Sequence, residues 1–416
     1  MVQGASGMGE RRSVDLDEES TPLEGLRMLR RFRPLLARVR DEATGRDRAG
    51  NREFFFDDAC SLILLTFYNP VCRSLRDLVK ASRLPAVRKR IGCREASLGS
   101  LSEGLRLFDP ERLEPILREL LEQISESPLT DPRLRQLSHI PTAVDGTILR
   151  HLPQITQACF ASRNDRGWKL HTHFEVLRGT PVAGRVTDAG GQGPSSEKAV
   201  LRATLEPDRC YITDRGYEEF SLFNAIVAAG SSYVCRVRND HHFTVEQPRE
   251  LTAEAVAAGV LEDSVGRMGS PRSTRIEHPD HPQRRIVVRC EEHPKRGGRR
   301  RLAATHDVVL TTSLLAVPAE VIVLLYRCRW LIELFFRWLK CVMSCRHLVS
   351  QSGNGIQIQM YCALIAFLLL QLAVGRDVKP NQWTWKLLCL YQQGWAGEAD
   401  VLAHLEERAA STKTPS

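Results

Sequence analysis

Asp145 in TAVDGT, Asp214 in YITDRGY and Glu333 in WLIELFF are the side chains of this sequence best placed to do chemistry together. Each aspartate is read as ending a strand at a turn. Side chains at the ends of neighbouring strands converge on one edge of a sheet, where a docked helix can add a third carboxylate. Such a cluster repels itself unless it holds hard cations, and donors that are all oxygen select Mg²⁺ or Mn²⁺. Two such ions about 4 Å apart activate a water and stabilise the leaving oxygen of a phosphodiester. Taken singly, each aspartate reads better as an Asx turn before glycine; the combination reverses that and points to metal chemistry.

Residues 326–340, YRCRWLIELFFRWLK, carry the third carboxylate. Read as one helix at roughly 100° per residue, they place Tyr326, Arg329, Glu333 and Lys340 on one narrow stripe. Cys328, Leu331, Ile332, Phe335, Trp338 and Leu339 form an opposite apolar face that can dock on a core. The stripe runs about 20 Å, which suits a row of backbone phosphates better than one small substrate. The competing reading is a solvated charged face with Arg329 and Glu333 as an ordinary i, i+4 pair. Trp330 adjoins the stripe and reads as a packing residue.

The elements that must position these groups follow from the rest of the chain. With 416 residues, 43% of them hydrophobic, there is ample material for a large core, and a net charge of +8 favours a polyanionic partner. Twelve cysteines without a CxxC pair or zinc-like spacing read as reduced, mostly buried thiols of a cytoplasmic protein. Residues 1–21 lack an apolar core behind their charges and read as a disordered lead-in, neither signal nor anchor. Residues 356–374 are apolar enough to suggest a membrane span, but three glutamines make a buried helix the better reading.

Residues 22–130 form an all-helical N-terminal region whose basic helices suggest DNA contact, or else a solvated arginine face. The period then changes. Strands are expected at 140–149, 170–177 and 180–189, with a tight Arg178-Gly179 turn, then a helix at 197–205 and a strand at 209–213 ending on Asp214. A helix at 217–229 and a strand at 231–238 follow. Residues 239–305 read as a small, separate β-rich insertion that ends in a basic run containing Arg299 and Arg300, a natural phosphate clamp or an exposed loop. A strand at 306–314 resumes the core within residues 131–350, Pro318 opens the helix of the stripe, and residues 351–416 supply C-terminal helices. This is an α/β chain built on a mixed sheet.

Tyr326, Arg329, Glu333 and Lys340 match the Y-(2)-R-(3)-E-(6)-K signature, and VDGT and TDRGY match the contexts of two ordered aspartates. In these features the sequence resembles the bacterial DDE transposases of the insertion-sequence-four type. The resemblance implies an RNase H-like core with a β-rich insertion, and Asp145, Asp214 and Glu333 as ligands of two Mg²⁺ or Mn²⁺ ions. It implies Tyr326, Arg329 and Lys340 as phosphate contacts, cut-and-paste transposition of double-stranded DNA, and a homodimer in the synaptic complex. In some members of this family a tryptophan of the insertion holds a flipped base during a hairpin step. No tryptophan lies between Asp214 and Arg329 here, so either Phe243 or Tyr233 stacks in its place or the hairpin step uses something else. The alternatives are a DNA-binding protein without catalysis and a nuclease of the same fold without strand transfer.

Overall fold

The computed structural model describes residues 34–41, 52–68, 72–127, 130–150, 167–189, 192–270, 277–291, 305–341, 348–374, 382–392 and 396–413. Among the described residues, a helical turn at 34–37 is followed by α1 (Phe56–Tyr68), α2 (Leu75–Ser82), α3 (Pro85–Ile91), α4 (Leu98–Leu107) and α5 (Glu114–Glu122). Their starts follow from local chemistry. Ser74 accepts from the Asp77 amide while the Asp77 carboxylate accepts from the Ser74 amide, a reciprocal capping box. Pro85 supplies a first residue that needs no partner for its nitrogen. Asp109 caps a short 3₁₀ turn that feeds α5.

A short α6 (Pro132–Arg135) leads into β1 (Ile140–Arg150), β2 (Gly167–Glu175) and β3 (Thr180–Asp188), then α7 (Glu197–Ala203), β4 (Arg209–Thr213), α8 (Phe220–Ala228) and β5 (Ser232–Val237). The turn between β2 and β3 has Gly179 at φ +67°, a conformation costly for any residue with a Cβ. Next come β6 (Phe243–Pro248), α9 (Ala253–Ala257), β7 (Val260–Met268), β8 (Gln283–Glu291) and β9 (Thr305–Thr312). The nine strands form one mixed sheet in the order β3-β2-β1-β4-β5-β9-β8-β7-β6. Only β1–β4 and β4–β5 are parallel. The expected separate β piece is therefore corrected: β8 pairs with β9 along its whole length, from Arg284 opposite Thr312 to Glu291 opposite Thr305, so the insertion widens the core sheet.

After β9 come α10 (Ala319–Cys328), α11 (Trp330–Cys341), α12 (Gly353–Val374), α13 (Gln382–Gln392) and α14 (Glu398–Lys413). Helix α12 is long and apolar enough to cross a bilayer, yet it is mostly buried within the fold, against β3, α1, α4 and α5. One apolar cluster joins the N-terminal helices through Phe56, Leu62 and Leu117 to α11 and α12 through Phe335, Leu339 and Leu364. Gln357 of α12 seals the outer edge of β3, accepting from Val186 N at 2.5 Å and donating to Gly184 O at 2.9 Å.

Two buried histidines on β2 give the sheet an acid limit. His171 and His173 are 3% and 6% exposed, and burial, reinforced by Lys169 and Arg185 around the first and Arg209 beside the second, pushes each imidazole down to about 4. Unfolded chain takes up these protons near pH 6.5, folded chain only near 4, so the stability they contribute is present above 6.5 and lost as pH falls towards 4. Each can cost up to about 3 kcal/mol over that interval. His173→Gln should flatten the fall in melting temperature between pH 6.5 and 4.5; an unchanged pH profile would show that the ring does not govern acid unfolding.

Candidate active site

Asp145 and Glu333 meet on one guanidinium. Arg329 Nη1 lies 3.5 Å from Asp145 Oδ2, and Arg329 Nη2 donates to Glu333 Oε1 at 2.5 Å. All three side chains are largely buried, so this contact is worth more than a surface pair. Asp145 does not end its strand as expected. It sits in the middle of β1 opposite Thr172, because β2 pairs with β1 far beyond the point where β4 stops. β4 pairs only as far as Ile212 opposite Ala143, so Asp145 emerges where the parallel neighbour has given out. Asp214 does follow the last residue of its strand, and there it caps a 3₁₀ turn, Arg215–Tyr217.

Each aspartate is oriented by the amide of a nearby glycine. Gly146 N donates to Asp145 Oδ1 at 2.7 Å, and Gly216 N donates to Asp214 Oδ1 at 2.8 Å. The Asx turn is thus present at Asp214, and it fixes one carboxylate oxygen. Burial, with the Asp214 and Glu197 carboxylates adding to it against the Gly146 amide and Arg329, pushes the Asp145 carboxyl up to about 6. Tyr326 stands against Arg329 and Arg236, and burial pushes its phenol up.

The stripe is not one helix. Arg329 donates to Tyr326 O and accepts from Ile332 N, both three residues away, so α10 closes and α11 opens at this residue. Such a tightened step turns three residues through a full circle instead of 3.6, and Arg329 at this step lies against Asp145. The apolar face behaves as expected, with Ile332, Phe335, Trp338 and Leu339 buried. Trp330 does not pack: it is 54% exposed, on the opposite side of the first turn of α11 from the buried Ile332. Lys340 lies in the last turn of α11, about 10 Å along the axis from Glu333. Tyr233 is removed from the base-stacking role, being fully buried, stacked on Phe223 at 4.4 Å and bonded through its hydroxyl to His281. Phe243 is half-buried, under the Arg285 guanidinium at 5.9 Å. Arg299 and Arg300 lie outside the described residues.

Residues 137–369 match the family model described as "Transposase DDE domain". The chain belongs to that family. The curated "Putative transposase y4zB" of Sinorhizobium fredii is 27% identical over 50% of this chain and 54% of its own length. The "Probable transposase for insertion sequence element IS5377" of Geobacillus stearothermophilus is 22% identical over 56% of each chain. The chain thus spans little more than half the length of these two relatives. Among solved structures, a piggyBac transposase in a synaptic complex with hairpin DNA aligns over 96% of this chain and 86% of its own, at 13% identity and a TM-score of 0.36.

The side chains of Asp145, Asp214 and Glu333 offer oxygen alone, which would suit a hard divalent cation. Among the described residues, no three histidine, cysteine, aspartate or glutamate side chains converge closely enough to share one ion. Arg329 supplies the positive charge between Asp145 and Glu333 instead. A second sign of fit is the Tyr217 hydroxyl, which is buried under the field of Glu197, Asp145 and Asp214 and finds no hydrogen-bond partner among the described residues. The carboxylates would fit such a cation in chemistry and charge, and would have to turn towards one another to hold it. Glu197 and Tyr217 were absent from the expected site: an acid in the first turn of a helix reads as a dipole partner, and the tyrosine as the end of a motif.

Proposed function

We propose that this chain is an insertion-sequence transposase with an RNase H-like core, which cleaves transposon ends and joins them to target DNA. The observation that carries this reading is the meeting of Asp145 and Glu333, far apart in sequence, on Arg329 beside the Asp214 turn. Asp145, Asp214 and Glu333 would hold two Mg²⁺ or Mn²⁺ ions. Bound there, the cations would supply an activated water and charge for the leaving oxygen. The chain's own groups do the positioning. The Gly146 and Gly216 amides fix the two aspartates, and Arg329, once released from the carboxylates, is within reach of a phosphate with a two-pronged donor. Tyr326 and Lys340, and Arg299 and Arg300 of the insertion, would extend that phosphate track, with residues 22–130 reading the transposon ends and a homodimer bringing two ends together.

The test is a plasmid carrying the flanking element ends, incubated with the full chain and Mg²⁺. Joined product on a second plasmid supports transposition. Cleavage without joining would identify a nuclease, and end binding without cleavage a DNA-binding protein. Lys340 separates position from chemistry: Lys340→Ala should weaken end binding by on the order of 1 kcal/mol and lower the slope of log K against log salt by about one. An unchanged slope with a lower melting temperature would make Lys340 a structural partner of α11.

A further inference from the structure

Ser196 caps α7 by accepting from the Ala199 amide, which makes Glu197 the first helical residue and directs it back along the sheet. There its carboxylate lies between the two glycines of VDG and DRG. A Cβ built on Gly146 would stand 2.6 Å from Lys169 Cε and 2.8 Å from Glu197 Oε1, and one on Gly216 would stand 3.0 Å from Asp214 Oδ1 and 3.4 Å from Glu197 Oε2. Neither glycine has a positive φ, so backbone freedom does not account for them, while the space they leave does. Lys169 of β2 holds Glu197 Oε1 at 2.5 Å, with side-chain exposures of 19% and 24%. The fully buried Tyr217 phenol lies on the same side, its hydroxyl without a partner among the described residues.

We propose that Glu197 is a fourth carboxylate of the site, giving an oxygen donor to the divalent cation held at Asp145 and Asp214, in the slot left by Gly146 and Gly216. Lys169 is its counter-ion when no cation is present. This rests on reading Asp145 and Asp214 as cation ligands. A fourth carboxylate would take the place of one of the waters that otherwise complete a hard cation's shell of six oxygens. The Lys169–Glu197 pair accounts for the space at Gly146, but not for the Glu197 Oε2 contact at Gly216 or for the Tyr217 hydroxyl left without a partner among the described residues.

The test titrates Mn²⁺ into the full-length chain, reading free Mn²⁺ by electron paramagnetic resonance and stability by thermal melting. Glu197→Gln should weaken Mn²⁺ binding about ten-fold or more. Glu197→Asp, which keeps the charge but shortens the reach, should weaken it several-fold with little change in melting. Lys169→Met should act in the opposite direction and tighten Mn²⁺, because Glu197 no longer has to leave a cation. Unchanged Mn²⁺ affinity in Glu197→Asp and Lys169→Met, whatever their melting temperatures, would overturn the proposal and leave an ordinary ion pair. Asp145→Asn is the control for the underlying reading: should it bind Mn²⁺ as the parent does, the cation site itself is misplaced, whereas loss of binding there with an indifferent Glu197 removes Glu197 alone.

Discussion

Glu333→Gln should lower strand cleavage by about a thousand-fold or more while end binding stays within a few-fold. A carboxylate that holds a Lewis-acidic cation contributes several kcal/mol to the transition state, and each 1.36 kcal/mol is a factor of ten in rate. On the proposed reading, affinity for DNA comes from phosphate contacts elsewhere, so it should survive. Asp145→Asn and Asp214→Asn should behave alike in cleavage. Asp145→Asn has a second signature. Its carboxyl is pushed up to about 6, from an ordinary value of 3.8, by burial and the neighbouring carboxylates. The stability tied to that proton is therefore complete below the ordinary value and lost as pH rises through 6, on the order of 3 kcal/mol by linkage. Cation-free Asp145→Asn should accordingly melt higher than the parent at pH 7. Full cleavage in any of the three variants would take that residue out of the site.

Asp263→Ala should cost about 3–5 kcal/mol, enough to threaten the folded state, because it strands a buried guanidinium. Asp263 of β7 accepts from Arg284 Nε at 2.8 Å and from Arg284 Nη2 at 2.6 Å, and the two side chains are 4% and 2% exposed. The remaining arm of Arg284 donates to the carbonyls of Leu314, Leu315 and Val317. Arg249 adds a bond to Leu315 O at 2.6 Å. The insertion thus grips the connection that launches α10, and with it Tyr326 and Arg329. Urea unfolding measures the loss. The paired replacement Asp263→Leu with Arg284→Met should recover most of it, since no charge is then left buried alone. A loss under about 1 kcal/mol in Asp263→Ala would mean that water reaches Arg284.

Much of this was legible from residue spacing. The strand 209–213, the turn at Gly179 and the buried face of α11 follow from periods of two and 3.6, which report only neighbours along one element. What spacing cannot register is where a partner strand ends. Asp145 lies mid-strand because β2 extends past β4, and that is a property of pairing, not of TAVDGT. The step at Arg329 is invisible to a helix wheel, which assumes the uniform turn that this residue breaks. Glu197 could be found only through what it touches, two glycines from two other segments.

The continuity of β6, β7 and β8 with the rest of the sheet bears on cooperativity. A segment joined to its host by a full ladder cannot open as a foldon of its own without also unzipping β9, so its amides should share the slow exchange of the central strands. Nor can it be trimmed away cleanly. Without β8, the strand that carries Val308 and Leu310 becomes a bare edge, an open template for any other chain with strands to pair.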